Sequence, residues 1–327
     1  MVLIGLALVG AAALALILAT QGPRPPSGPT GSNPTEPRRP SGSSVSPLPT
    51  SAGPSRGVKP SESAPPSSTE AGHVYLIVLE NHSYDDIVGS DDTPFLGSLA
   101  ERFGLASRYE AVAHPSQPNY LALFSGSTQG VDDNEIHDLR ARNLGDLLER
   151  AGRTWRVYAE NVPPTCFQGA EASDGPDGRG TYARKHEPAI SFTDISADAE
   201  RCANITPLSS FDPAAADFEL IIPNLCHDMH DCSRRIGDDW LRSFVPRITT
   251  SASWRDGGVL FITFDESDEE SDQRVATFVV SPRTPPGFRS DTAHTHYSLL
   301  RTIEATWDLG CLAEECHSST MAEFLGG

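Results

Sequence analysis

Residues Gly258–Asp268 read Gly-Val-Leu-Phe-Ile-Thr-Phe-Asp-Glu-Ser-Asp. The first seven are apolar, aromatic or β-branched, the composition of a strand buried on both faces. The next four are acidic or hydroxylated and follow with no turn residue between, so the strand delivers Asp265 and Glu266 to its own carboxyl end. Taken singly, such an acidic pair is more often solvated loop than ligand. The arrangement recurs, however. His73–Leu79 (HVYLIVL) ends in Glu80-Asn81-His82-Ser83, and Phe218–Pro223 (FELIIP) runs into a cluster from Asn224 to Cys232 that holds His227, Asp228, His230 and Asp231. Thr154–Ala159 (TWRVYA) and Arg274–Val280 (RVATFVV) read as further strands. Thr93–Phe103, Asn143–Ala151, Ile236–Thr250 and His296–Leu309 carry amphipathic helix patterns, and Gly169–Gly180 reads as loop. Alternating strands and helices predict an α/β fold with a mostly parallel central sheet flanked by helices. Ligands of such sheets bind beyond the carboxyl ends of the strands, where the three polar clusters converge.

A fourth element points the same way. In His114–Gly126 (HPSQPNYLALFSG), Ser116 stands between two prolines and precedes the apolar run Tyr120–Phe124. Proline suits the first turn of a helix, so Ser116 falls at or just before a helix N-terminus, where free N–H groups and the dipole favour an anion. It would either cap the helix or attack an electrophile whose anionic oxygens the helix end stabilises.

Composition bounds the rest. Val2–Ala19 is an uncharged apolar run, suited to a signal peptide core or a membrane anchor; it has no basic flank and no clear cleavage site before Gln21. Residues 1–20 are read as that segment, residues 21–72 as a disordered tether holding 13 of the 27 prolines, and residues 73–327 as one catalytic domain. The tether carries +2 of the total −19, which leaves −21 on the domain. So acidic a domain repels polyanions and is a poor nucleic-acid binder, so a small anionic substrate must be attracted locally. Both N-terminal readings place the protein outside the cytoplasm, secreted or anchored at the cell surface. All six cysteines lie in the domain, and the even count suits disulfides. Cys226 and Cys232 bracket one short loop and Cys311 and Cys316 another, leaving Cys166 and Cys202, although spacing alone does not fix the pairing.

Glu80, Asn81, Asp265 and Glu266 offer oxygen ligands for a divalent cation. Asp265–Asp272 is not an EF-hand, because Glu270 stands where the tight-turn glycine belongs. No G-x-S-x-G, H-E-x-x-H or P-loop motif occurs.

From His73 to Leu309 the chain resembles the phosphoesterase family of acid phosphatases and phospholipases C, whose fold is similar to that of alkaline phosphatase. Six ordered blocks carry the resemblance: VLENHSYDDIVG, HPSQPNYLALFSG, YARKHEPAISF, IPNLCHDMHD, FITFDESD and HTHYSLLRTIE. Within the family it looks most like the short secreted acid phosphatases, some of which act on phosphoinositides. The resemblance implies that Glu80, Asn81, Asp265 and Glu266 hold the metal and that Ser116 is the nucleophile. It also implies that Asn119 lies beside the phosphate, that His230 and His296 face it as catalytic residues, either able to donate to the leaving alcohol, and that Lys185 and His186, in a block typical of the short subgroup, bind substrate. Gln117, where an acidic residue is usual, and the Cys226–Cys232 bracket depart from the pattern. The function so implied is an exported, metal-dependent phosphomonoesterase with a phosphoserine intermediate, acting on a small phosphomonoester or a phosphoinositide. The alternatives are a phospholipase C-type diesterase and a catalytically inactive, surface-tethered binding protein.

Overall fold

The computed structural model describes residues 72–326, apart from 165, 174–180 and 270. The apolar run at 2–19, nearly all of the tether and part of the 169–180 loop lie outside the described residues. Among the described residues, no helix is long and apolar enough to cross a membrane.

Eight strands form the central sheet: β1 (Val74–Leu79), β2 (Gly104–Ala106), β3 (Trp155–Ala159), β4 (Ile205–Pro207), β5 (Phe218–Ile222), β6 (Val259–Phe264), β7 (Thr277–Val280) and β8 (Phe288–Ser290). Their spatial order is β8-β2-β7-β6-β1-β5-β3-β4. All neighbours pair parallel except β7, which runs antiparallel to both β2 and β6. Every residue of β1, β5 and β6 is buried, as the continuous apolar runs predict for a sheet covered on both faces. The register pairs Leu79 with Phe264, so Glu80 and Asp265 leave adjacent strands at the same level.

The longer helices are α1 (Pro94–Arg102), α2 (Ser116–Ser125), α3 (Leu144–Arg150), α4 (Arg234–Thr249) and α5 (His296–Thr306). Asn143 begins α3 with a capping box: its side chain accepts from Asp146 N–H, while the Asp146 carboxylate accepts from Asn143 N–H. All ten residues of α2 are buried, and α2 packs against α5. Gly126 ends α2 at φ 71°, and a Cβ there would run into the Glu315 carboxylate.

The cysteines pair as Cys166–Cys202, Cys226–Cys232 and Cys311–Cys316. The sequence separations are 36, 6 and 5 residues. Loop-closure entropy then gives about 4 kcal/mol for the first and about 2 kcal/mol for each of the others. Replacing Cys166 and Cys202 by Ser should therefore lower unfolding stability most. Denaturant titration checks the order, and non-reducing peptide mapping the pairs.

Two buried carboxyls outside the polar clusters make a pH prediction. Burial pushes Glu219, on β5, and Glu304, on α5, up to about 8 each. Both then stay protonated in the fold at a pH where the unfolded chain has lost those protons. The folded state binds more protons, so stability falls as pH rises from about 4.5 to about 8. Melting temperatures across that range should decline in the unaltered protein and decline less in Glu304→Gln.

Candidate active site

Ser116 is the first residue of α2, one position inside the N-cap Pro115, and is 1% exposed. It does not cap the helix. Its Oγ donates to Glu80 Oε2 and to Glu266 Oε1, both at 3.1 Å. Each carboxylate follows a central strand, so the sheet register and the start of α2 together bring the serine between them. The backbone N–H of Gln117 already donates to Asn134 Oδ1 at 3.0 Å, and Pro118 has none. What α2 offers an anion is therefore mainly its dipole rather than a full set of free N–H groups.

Glu80 is fully buried, and side chains from several elements surround its carboxylate. Ser116 and His186 approach Oε2, and the Tyr120 hydroxyl donates to Oε1. Burial would raise its pKa, but the His186 charge more than offsets this and holds it below the ordinary value. Asn81 adopts φ 38°, a left-handed conformation that asparagine tolerates. Turned with its nitrogen towards the acids, its amide donates to Glu80 Oε2 at 2.7 Å and to Asp265 Oδ1 at 3.2 Å. Asp265 is fully buried and its Oδ2 has no hydrogen-bond partner. Burial first, then the charges of Glu80 and Glu266, push its carboxyl well above the usual range. Burial also raises Glu266, against the opposing pull of His114, whose Nδ1 pairs with its Oε2.

These residues fit a divalent cation. Three acids converge in a dry place, Asp265 Oδ2 is unsatisfied and Asp265 has no cationic side chain of its own, and the Asn81 amide, turned with its oxygen towards them, would complete an oxygen ligand set. His186, Asp228 and Glu80 form a second cluster, with ligand atoms within 4.8 Å of one another. Here a cation is already built in. Burial alone would lower the His186 imidazole, but Glu80 and Asp228 carry it up to about 9. His186, expected to touch substrate, is instead 1% exposed, stacked on Tyr120 at 5.2 Å and paired with both acids.

The other expected residues divide. His230 stands at the site with its ring 5.9 Å from that of His186, and Asp231 Oδ1 pairs with its Nδ1 at 2.7 Å, so Nε2 is the nitrogen available to a ligand. Lys185 is close enough to help hold Glu80 ionised. Asn119 does not face outward. Its Oδ1 accepts from Val112 N–H and Ala113 N–H at 3.0 and 3.1 Å, and its Nδ2 donates to Ala113 O at 2.8 Å, so it ties down the loop that leads into Ser116. His296 is likewise placed behind the site rather than in it. Its Nδ1 accepts from the Tyr109 hydroxyl at 3.0 Å, its Nε2 donates to Asp265 O at 2.6 Å, and burial pushes it down to about 4. With both nitrogens occupied, it fixes the Asp265 backbone.

Sequence reading assigned no role to Tyr120, Asp228 or His114. Tyr120 looked like part of the apolar run, although its place four residues after Ser116 puts it on the same helix face.

Residues 90–310 match the Phosphoesterase family. The chain is 33% identical over 241 residues to the phosphatidylinositol-3-phosphatase of Mycobacterium tuberculosis, covering 72% of this chain and 77% of that protein. It is 30% identical over 262 residues to a probable acid phosphatase of Kluyveromyces lactis, covering 77% of this chain and 62% of that protein, and so spans less than two thirds of that relative. Among solved structures, a 2-O GAG sulfatase superposes with a TM-score of 0.54 at 12% identity, over 79% of this chain and 75% of that one. That likeness concerns the fold alone, and it agrees with the alkaline phosphatase-like architecture expected from the sequence.

Proposed function

The chain belongs to the Phosphoesterase family, whose matched members are phosphoric ester hydrolases, and from that premise we propose that it is an exported, metal-dependent phosphomonoesterase of the acid phosphatase type that works through a phosphoserine at Ser116. The observation that carries this reading is the Ser116 hydroxyl, held between two carboxylates at the start of a buried helix.

Ser116 Oγ forms a bond to phosphorus as the bond from phosphorus to the leaving alcohol breaks. Its proton passes to Glu80 or Glu266, the two groups that already accept from it. A divalent cation held by Glu80, Asn81, Asp265 and Glu266 would polarise a phosphoryl oxygen and make the hydroxyl more acidic. The α2 dipole and the nearby Lys185 ammonium favour the anionic substrate. His230, oriented through Nδ1 by Asp231, gives a proton from Nε2 to the departing alkoxide. It then takes a proton from the water that cleaves the phosphoserine. Asn119 and His296 act through the parts they hold, the loop before Ser116 and the Asp265 backbone.

Export is supported by the three disulfides. A phosphoinositide is a candidate substrate because the mycobacterial relative bears that name. The test is product analysis on a panel of monoesters and diesters, with and without chelator. Inorganic phosphate released from monoesters, and lost with chelator, is the expected result. Release of a phosphorylated headgroup from a diester would replace the monoesterase reading.

A further inference from the structure

A cavity of about 680 Å³, a size ordinary for small-molecule sites, opens at the same edge of the sheet as Ser116. Glu160, which follows β3, and Pro207, which ends β4, form part of its wall. Trp240, Ser243, Phe244 and Arg247 form another part, spaced at three, four and seven residues along one face of α4. Glu80 follows β1, and β3 lies two strands away in the order β1-β5-β3, so the cavity begins about 10 Å from Glu80.

One turn borders both places. Asp228 in the 224–232 turn accepts the backbone N–H of Glu80 through its carbonyl at 2.9 Å and pairs with His186. Its neighbour His227 faces the other way: Nδ1 pairs with Glu160 Oε2 at 2.8 Å, and the ring stacks on Trp240 at 5.8 Å. His230, the residue assigned to the leaving group, belongs to the same turn. The Cys226–Cys232 disulfide closes it.

Of the two charged side chains in the described lining, Glu160 is paired and Arg247 keeps its positive charge. Glu160 accepts from His227 and from Asn224 N–H at 3.1 Å. Arg247 lies over the Phe211 and Phe244 rings and donates to Phe211 O at 3.1 Å. A ligand there meets the single Arg247 guanidinium and hydroxyl groups such as Ser209 and Ser243 beside the apolar surfaces of Pro207 and Trp240. Such a wall suits alternating C–H and O–H groups and offers no cation cluster for a second phosphate.

We propose that this cavity is the subsite for the alcohol part of the substrate and that it takes an uncharged, polyhydroxylated body such as an oligosaccharide, joined to the phosphoryl group at Ser116. The proposal rests on the phosphomonoesterase reading. A small alcohol ends before the cavity, whereas a leaving group of two sugar rings reaches into it.

The test fills the cavity from its exposed rim. Ser243 and Ser209 are both exposed and touch none of the catalytic residues, so Ser243→Trp and Ser209→Trp should fold. Full-length protein and both variants are assayed on p-nitrophenyl phosphate and on a phosphorylated disaccharide. Calorimetry of the disaccharide phosphate on Ser116→Ala, with and without Ser243→Trp, measures binding without turnover. The unaltered enzyme should prefer the disaccharide ester through KM. Both variants should lose about tenfold in kcat/KM on it while keeping activity on p-nitrophenyl phosphate, and Kd should weaken by a similar factor. Equal losses on both substrates, or no preference in the unaltered enzyme, overturn the subsite alone. If the variants instead lose a micellar phosphoinositide and keep the disaccharide ester, the assignment to a neutral body is overturned. No phosphate from any monoester overturns the phosphomonoesterase reading, and the subsite falls with it.

Discussion

Ser116→Ala should lower turnover by roughly 10³- to 10⁶-fold, the range seen when a nucleophile is removed and binding groups remain. The fold should survive. Ser116 contributes one hydroxyl proton shared between two acceptors, and its loss leaves two acids without that donor, a cost of about 1–2 kcal/mol. A capping serine would lose a similar amount of stability, so stability does not separate the two roles. Turnover does, because a cap replaced by alanine leaves the folded fraction fully active. Position argues against the cap as well. Pro115 holds the N-cap place, and the hydroxyl donates to acids instead of accepting from the helix. Ser116→Asp should not rescue, since it sets a third carboxylate beside Glu80 and Glu266. The direct measurement is single-turnover acid quench with a labelled phosphomonoester, followed by mapping of the label. Label on Ser116 supports the assignment; an active Ser116→Ala enzyme that never traps phosphate ends it.

Much of this site could be read from the sequence because its parts sit where local pattern meets element ends. Glu80 and Asp265 each close an unbroken apolar run, and a parallel register needs only Leu79 opposite Phe264 to bring them together. Ser116 between two prolines marked a helix start in the same way. The three-residue strands β2, β4 and β8 were not legible, being too short to show a period, and the antiparallel direction of β7 leaves no trace in composition. The histidines were the hardest. His230 and His296 carry the same side chain next to similar neighbours, yet one meets Asp231 near the surface and the other lies between Tyr109 and the Asp265 carbonyl. Asp231 is the next residue in the chain, but Tyr109 and Asp265 come from distant parts of it, and burial then decides whether a ring can carry charge. His186 shows the converse. The family resemblance groups it with Lys185 as a substrate-binding residue, but it pairs with two acids that arrive from separate strand ends.

Asp265→Asn should abolish activity and divalent-ion binding while making the chelated protein more stable. In the folded chain Asp265 is fully buried, its Oδ2 lacks a hydrogen-bond partner, and burial together with the charges of Glu80 and Glu266 works against the ionisation that the unfolded chain allows freely. Asparagine keeps the Oδ1 that accepts from Asn81 N–H at 3.1 Å. It replaces the unsatisfied oxygen by an N–H₂ that can donate to the neighbouring acids, a gain on the order of 1–3 kcal/mol. With a divalent ion in solution the order should reverse. A ligand at 1,000 times its Kd stabilises the protein that binds it by about 4 kcal/mol, and the variant forgoes that term. Melting curves of both proteins in chelator and in a series of divalent ions should therefore cross, the variant higher without the ion and the unaltered protein higher with it. Calorimetric titration with each ion gives a readout independent of turnover. A variant that melts lower in chelator would mean that the acid is satisfied in the fold, and a variant that binds the ion as tightly as the unaltered protein would remove Asp265 from the ligand set. The crossing follows from one physical circumstance: a pocket of acids that repel one another is held together by the fold at a cost, and the cation they are arranged for offsets it.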